Sequence, residues 1–390
     1  YKIMAKTYAE INDKIKKGTA VVLTAEEVSE LAKTLSPKEI AEKVDVVTTA
    51  TFGAMCSSGA FLNFGHANPP IRMEKIELNG IRVSGGLAAV DTYVGATDCN
   101  PENPSYGGAH IIEDLIAGKE ITLEAWGKGT DCYPRKHIKT VITKDTINEA
   151  ILYNPRNAYQ NYNVATNSTD KIKYTYMGTL LPKLRNASYS TAGELSPLLN
   201  DPECRTIGLG TRIFLCGTEG YVTWNGTQFH STKETNEHGI PTSNARTIAV
   251  IGDLKNMSTE FLRGVYYEKY GVSMFVGIGI PIPILDEDLA RRVSIRNEQI
   301  ETTVVDYGDG NKILGKTNYA ALQSGEIEVN GHKIKTAPVA SLSKARQIAE
   351  ILKSWIQKGD FLLTEPVRPM PTGTSLKGLQ EIENGELKKD

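Results

Sequence analysis

The side chains in this chain best suited to covalent chemistry are its five cysteines, and their surroundings differ. Cys56 lies in GAMCSSGAFLNFGHANPP, between Gly53 and Gly59 and directly before Ser57 and Ser58. A Gly- and Ser-rich turn presents several backbone N–H groups at once, and N–H dipoles directed at a sulfur favour thiolate or persulfide over thiol. A sulfur held that way is a nucleophile. The plainer reading is a small cysteine packed under a turn, which is the commoner fate of a lone cysteine. Cys132 lies in KGTDCYPRKH, with Arg135, Lys136 and His137 within five residues. Nearby positive charge also favours thiolate. Against that, flexible basic side chains often extend into water and leave a neighbouring cysteine a bystander.

The other three thiols read as packing residues. Cys99 follows Asp98 in a turn-rich stretch, where a carboxylate raises a thiol pKa. Cys204 follows Pro202 and Glu203, and Cys216 ends the strand-like run TRIFLC. The alternative for one or two of them is iron–sulfur ligation together with Cys56. The chain has no CxxC pair, so zinc-ribbon and thioredoxin-type sites have no support. Two glycine patterns, GLGTRIFLCGTEG and GVSMFVGIGIPIPIL, lack the strand–turn–helix context of a dinucleotide site. Arg212, in the first of them, is a candidate partner for a substrate carboxylate. No Walker lysine motif, HExxH or GxSxG elbow occurs.

The elements that must carry these residues are read from periodicity and caps. Ala5, Tyr8, Ile11 and Ile15 have helical spacing closed by Gly18. Thr24 with Glu27 forms a capping box, and Ser36-Pro37 opens a third helix. VDVVTTATFGAMCSSG is a β-branched strand ending in the Cys56 turn, and strand ends are where ligands bind in open α/β sheets. IELNGIRVSGG, ITLEAWG, KTVITK, TRIFLC, YVTW and RTIAVIG also read as strands. AHIIEDLIAGK, DTINEAILYN and SLSKARQIAEILKSWIQKG read as helices, and FLLTEPV as an extended segment. Strands interleaved with helices predict a mixed α/β fold with a largely parallel sheet flanked by helices. Residues 153–202, rich in Asn, Tyr, Ser, Thr and Pro, are expected as a loop-rich lobe or lid within one catalytic body over 1–371. A polar tail is expected over 372–390.

Composition narrows the class. With 40% hydrophobic and 23% charged residues the chain is globular. A formal net charge of −2 without a basic block excludes the electrostatic footprint of nucleic-acid binding. No apolar run reaches the roughly 18 residues of a membrane span, and the first residues lack a signal-peptide core. The odd cysteine count at wide spacings is not a disulfide framework, so a cytosolic location is expected. A symmetric homodimer is the default expectation for assembly.

Six stretches, in order along nearly the whole chain, resemble the homocysteine biosynthesis family of L-aspartate semialdehyde sulfurtransferases. They are VDVVTTATFGAMCSSGAFLNFGHANPPIRM, GGLAAVDTYVGATD, GGAHIIEDLIAGK, GTDCYPRK, IGLGTRIFL with YVTWNGTQ, and IAEILKSWIQKGDFLLTEPV. The resemblance implies a functional cysteine pair, which falls on Cys56 and Cys132. It gives no role to Cys99, Cys204 or Cys216, and relatives look to carry glycine at the position of Cys216. It implies insertion of sulfur into the aldehyde of L-aspartate semialdehyde, followed by two-electron reduction to homocysteine. The sulfur would come from sulfide or another donor, and the electrons from a separate ferredoxin-like partner. Ser57, Ser58 and His66 are expected at the substrate, with Arg135 or Arg212 on its carboxylate and Asp131 on its ammonium. Two rival readings stand beside this one. The first is an enzyme whose [4Fe–4S] cluster is held by Cys56 and Cys132 with Cys99 or Cys204; the second is a protein that only carries sulfur or senses a metabolite.

Overall fold

The computed structural model describes residues 5–388. The ends of the two expected segments, residues 1–4 and 389–390, lie outside the described residues. Three short helices open the chain, Tyr8–Lys17, Ala25–Leu31 and Pro37–Lys43, each with a capping box built on Thr7, Thr24 or Ser36. Gly18, with φ 70°, closes the first of them.

The main layer is a ten-stranded mixed sheet. Its order is Val22–Thr24, Val46–Ala54, Gly271–Pro283, Arg212–Leu215, Thr218–Asn225, Ile248–Asp253, Glu149–Asn157, Gly59–Asn63 and Asp91–Gly95. Leu262–Tyr267 pairs separately with Gly271–Pro283. The α/β class holds, but the expected largely parallel sheet does not. Only Val22–Thr24 and Val46–Ala54 run parallel; every other pair in this sheet is antiparallel. The cause lies in the connections. Parallel neighbours need a crossover of a dozen or more residues, usually helical. Helices Ala25–Leu31 and Pro37–Lys43 supply one such crossover, whereas hairpin turns join Arg212–Leu215 to Thr218–Asn225 and Leu262–Tyr267 to Gly271–Pro283.

Two local expectations also change. DTINEAILYN is not a helix: Glu149–Asn157 is a strand paired on both sides, with Ala150, Leu152 and Asn154 buried at every second position. Cys216 is a turn residue and not the end of a strand. With φ 52° beside Gly217 at φ 101°, it forms a two-residue hairpin loop that needs left-handed backbone at both positions.

Residues 153–202 carry more regular structure than a loop-rich lobe. Val164–Thr166 and Asn186–Tyr189 lie inside a second sheet, of order Lys312–Asn318, Glu301–Asp306, Val164–Thr166, Asn186–Tyr189, His332–Pro338, Glu326–Val329. A third, antiparallel sheet holds His137–Ile142, Ile121–Trp126, Lys75–Leu78 and Ile81–Val83. The long helix Leu342–Gln357, capped by Ser341, lies on the Val46–Ala54 and Gly271–Pro283 strands, where Thr48 Oγ1 donates to the Ala349 carbonyl at 2.9 Å. The glycines of GVSMFVGIGIPIP make that approach possible. A Cβ at Gly277 or Gly279 would stand 2.9 Å from Ile348, so these glycines serve helix packing and not a nucleotide. The main core under this helix is separate from a smaller core around Val164, Leu199 and Tyr319. Beyond Pro371 the chain is tied down at Thr374, which exchanges hydrogen bonds with Ser231, and then runs exposed through a small hairpin. Among the described residues no helix is long and apolar enough to cross a membrane.

Candidate active site

Cys56 stands two residues past the end of the Val46–Ala54 strand, on the turn that leads to Gly59–Asn63. The strand pairs with Gly271–Pro283 as far as Ala54, and the Met55 N–H donates to the Met274 carbonyl at 2.8 Å. That pairing places the Cys56 turn beside the hairpin tip Glu268–Tyr270, and Tyr270 Oη lies 4.0 Å from Cys56 Sγ. A second tether comes from the buried Asn154. Its Nδ2 donates to Ser58 Oγ at 2.8 Å, and its Oδ1 accepts from Ser57 Oγ at 3.2 Å and from the Arg156 N–H at 3.1 Å. Ser57 Oγ also reaches the Arg156 carbonyl at 3.1 Å. The two serines therefore brace the turn against the bulged end of the Glu149–Asn157 strand, where the register shifts between Asn154 and Asn157.

Cys56 lines a cavity of about 400 Å³ at the seam between the main sheet and the second sheet. The wall is made by the Cys56 turn, by Arg156, Asn157 and Tyr159, by Tyr162 and Tyr176, and by Tyr270. The tyrosines form one network. Tyr176 Oη lies 2.6 Å from Tyr162 Oη and 2.8 Å from Tyr307 Oη, which accepts from Asn163 Nδ2 at 3.0 Å. Burial raises the Tyr162 and Tyr307 hydroxyls far above the usual range. Burial, and then the adjacent Cys56 sulfur, push Tyr270 up to about 12. These phenols are hydrogen-bond donors at neutral pH. The rings of Tyr176 and Tyr270 meet at a tilt of 59° with centroids 6.0 Å apart, and Lys269 sits 4.9 Å over Tyr174, so two hairpin tips meet over the site.

The remaining residues singled out in the sequence fall elsewhere. Cys132 is exposed on the loop before His137–Ile142, with Thr130 Oγ1 at 3.7 Å from its sulfur. Asp131 beside it is also exposed. The loop docks on the segment after Gly59–Asn63: His66 stacks on Tyr133 at 6.2 Å, and the Arg135 N–H donates to the Pro70 carbonyl at 3.2 Å. Cys56 and the Cys132 loop thus stand at opposite ends of the five-residue Gly59–Asn63 strand, a separation of roughly 13 Å along the strand alone at ~3.3 Å per residue. Arg212 lies between the rings of Tyr221 and Phe361, with Glu219 at 3.6 Å and the Leu362 carbonyl at 3.2 Å, and does not line the cavity. Cys204 and Cys216 are buried, and burial pushes the Cys216 thiol up to about 12. Cys99 is exposed on a short two-stranded ribbon. No cysteine is in a disulfide. Among the described residues no three His, Cys, Asp or Glu side chains converge to hold a metal, so the cysteines do not assemble the ligand set of a cluster in this arrangement.

Sequence reasoning missed Arg156, Asn157 and the tyrosines. Their one signal was the unusual density of Asn and Tyr in NPRNAYQNYN, which has no helical or strand period. Tyr270 carried no signal, because a hairpin far along the chain delivers it.

A thiol, a cation and several phenol donors around one half-open cavity suit a thiol-dependent enzyme for a small polar substrate. Residues 20–363 match the family described as homocysteine biosynthesis enzyme, sulfur-incorporation. The chain is 51% identical over 385 residues to an L-aspartate semialdehyde sulfurtransferase of Methanocaldococcus jannaschii, covering 94% of this chain and 73% of that protein. It is 46% identical over 392 residues to an L-aspartate semialdehyde sulfurtransferase of Methanosarcina acetivorans, covering 100% of this chain and 76% of that one. The chain belongs to this homocysteine biosynthesis family, and it is an enzyme. No solved structure matches it.

Proposed function

We propose that this enzyme transfers sulfur from a persulfide on Cys56 to the aldehyde carbon of L-aspartate semialdehyde, giving homocysteine after reduction. The supporting observation is the placement of Cys56 on the cavity wall with a protonated phenol 4.0 Å from its sulfur. The terminal persulfide sulfur attacks the aldehyde carbon, and the carbonyl π pair moves onto oxygen, where the Tyr270 hydroxyl donates to the developing charge. A resolving thiol then attacks Cys56 sulfur, forms a disulfide with it and releases a thiohemiacetal. Loss of water gives a thioaldehyde, which two electrons and two protons convert to the thiol. Sulfide reopens the disulfide, restoring the persulfide and the resolving thiol. The net reaction consumes the aldehyde, hydrogen sulfide, two electrons and two protons, and yields homocysteine and water. The electrons come from a separate low-potential donor of ferredoxin-like type, and no step passes through a cluster held by this chain.

Cys132 takes the resolving role. Its exposure suits exchange with sulfide or a reductant, and to resolve the adduct its loop must come across from the far end of the Gly59–Asn63 strand. Five unpaired cysteines suit a reducing, cytosolic setting. The test is homocysteine formation from aspartate semialdehyde, sulfide and a low-potential reductant. Cys56→Ala is expected to abolish it, and full activity in that variant sinks the proposal. Cys132→Ala, its Cys56 persulfide loaded from polysulfide because sulfide alone cannot form it without the disulfide, is expected to release no homocysteine and to hold the aldehyde as a disulfide-linked adduct on Cys56 in a mass spectrum of the intact protein.

A further inference from the structure

The geometry points to Arg156 as the residue that grips the substrate carboxylate and so selects the substrate. This inference rests on the sulfur-transfer reading above and adds the recognition that reading leaves open.

Arg156 is the one charged residue on the cavity wall, which carries no aspartate or glutamate. Several arginines elsewhere pair with carboxylates: Arg205, Arg291, Arg292 and Arg346 within 3.1 Å, and Arg212 with Glu219. Those without such a partner, among them Arg82, Arg185 and Arg246, do not line the cavity. Arg156 has no carboxylate partner among the described residues. Its Nη1 donates to Thr227 Oγ1 at 3.2 Å, the guanidinium also reaches the Tyr159 hydroxyl on the cavity wall, and its Nε is buried without any partner. The next residue repeats the pattern: Asn157 lines the cavity, is buried, and its Nδ2 has no partner either. Buried donors left unpaired are costly, and a fold that keeps two side by side at a cavity commonly uses them on a ligand. A guanidinium with most of its donors free matches a planar carboxylate.

The position is fixed from the reacting sulfur. The Ser57 hydroxyl donates to the Arg156 carbonyl, so the backbone that carries the guanidinium is bonded to the turn that carries the thiol. A short substrate with its aldehyde at Cys56 can therefore present its other end to Arg156. The substrate ammonium meets no acid on this wall. It meets the faces and oxygens of Tyr159, Tyr176 and Tyr270, which hold a cation more weakly than a carboxylate would. Recognition is thus asymmetric: the carboxylate decides binding and the ammonium contributes less.

The test compares three aldehydes, with thiol formation as the readout. They are L-aspartate semialdehyde, succinic semialdehyde, which lacks the ammonium, and 3-aminopropanal, which lacks the carboxylate. In the unaltered enzyme, 3-aminopropanal is expected to lose on the order of 100-fold in kcat/KM, the worth of a charged hydrogen-bonded pair, and succinic semialdehyde about tenfold or less. In Arg156→Gln, KM for aspartate semialdehyde rises on the order of 100-fold with a smaller change in kcat, and the preference over 3-aminopropanal collapses. An unchanged preference in Arg156→Gln overturns the assignment. Should that variant not fold, the ratio is read on Arg156→Lys, which keeps the charge but loses the fork; a roughly tenfold narrowing is expected, and an unchanged ratio again overturns it. If the unaltered enzyme makes no thiol from any of the three, it is the sulfur-transfer reading that fails, before Arg156 is tested.

Discussion

In the proposed mechanism the Tyr270 hydroxyl stands beside a sulfur that becomes an anion, and burial first, then that sulfur, keep the phenol protonated. Burial and the Cys56 charge together push it up to about 12, so it keeps its proton across the range in which the enzyme can be assayed. A donor that does not titrate has a recognisable signature. Tyr270→Phe removes the donor to the developing oxyanion, and kcat is expected to fall on the order of 100-fold. The factor should be the same at about pH 6.5 and about pH 9, because neither value approaches the phenol's own titration. A loss confined to one end of that range would mean that Tyr270 exchanges a proton instead of donating a fixed hydrogen bond. The Cys56 turn at a strand end was legible in the sequence, since a β-branched run breaking into Gly-Ala-Met-Cys-Ser-Ser-Gly is a local pattern. Its wall was not, because Tyr270 and Arg156 reach it only through strand pairing across the sheet.

Helices and strands differ in the same way. The three opening helices and Leu342–Gln357 are written in caps and 3.6-residue periodicity, all within a few residues, and the structure has them. Strand direction depends on which partner lies alongside, and a short apolar segment such as EAILYN carries too little period to choose between helix and strand. The glycines of GVSMFVGIGIPIP show a signal that was visible but open to a different meaning, since a nucleotide loop and a close helix contact both call for a missing side chain. That contact is testable. Gly277→Val would drive a side chain into Ile348 and to within 3.0 Å of the Phe261 carbonyl. Overpacking of this kind costs about 2 kcal/mol, to be read as a lowered midpoint in urea unfolding; an unchanged midpoint would remove glycine packing as the reason for the motif. Cys216→Gly should do the opposite of what a catalytic cysteine would. Left-handed backbone at φ 52° suits glycine, and the thiol is buried, so activity is expected to stay at the level of the unaltered enzyme in the same homocysteine assay.

At the scale of the whole molecule, the strand that leads to the Cys56 turn is anchored at its other end by one buried carboxylate. Asp45, just before Val46, accepts from Lys14 Nζ at 2.9 Å, Lys6 Nζ at 3.2 Å and the Val21 N–H at 2.8 Å. It joins the first helix, the parallel edge strand and the Val46–Ala54 strand. Burial alone would raise its pKa, but the Val21 hydrogen bond and the two lysines outweigh burial and hold the carboxyl below its ordinary value. A carboxyl depressed in the folded state stabilises the fold above its unfolded pKa of about 3.9, and that contribution is lost as pH falls through the lower folded value. Asp45→Asn leaves two lysines facing an amide and is expected to cost about 3 kcal/mol at neutral pH. Near pH 3, where the carboxyl in the unaltered protein is already giving up part of its advantage, the difference between the two proteins should shrink. Urea unfolding of both proteins at the two pH values checks this. A difference that stays constant would place the role of Asp45 in its shape and hydrogen bonds instead of its charge, and a difference that grows on acidification would contradict the sign of the linkage.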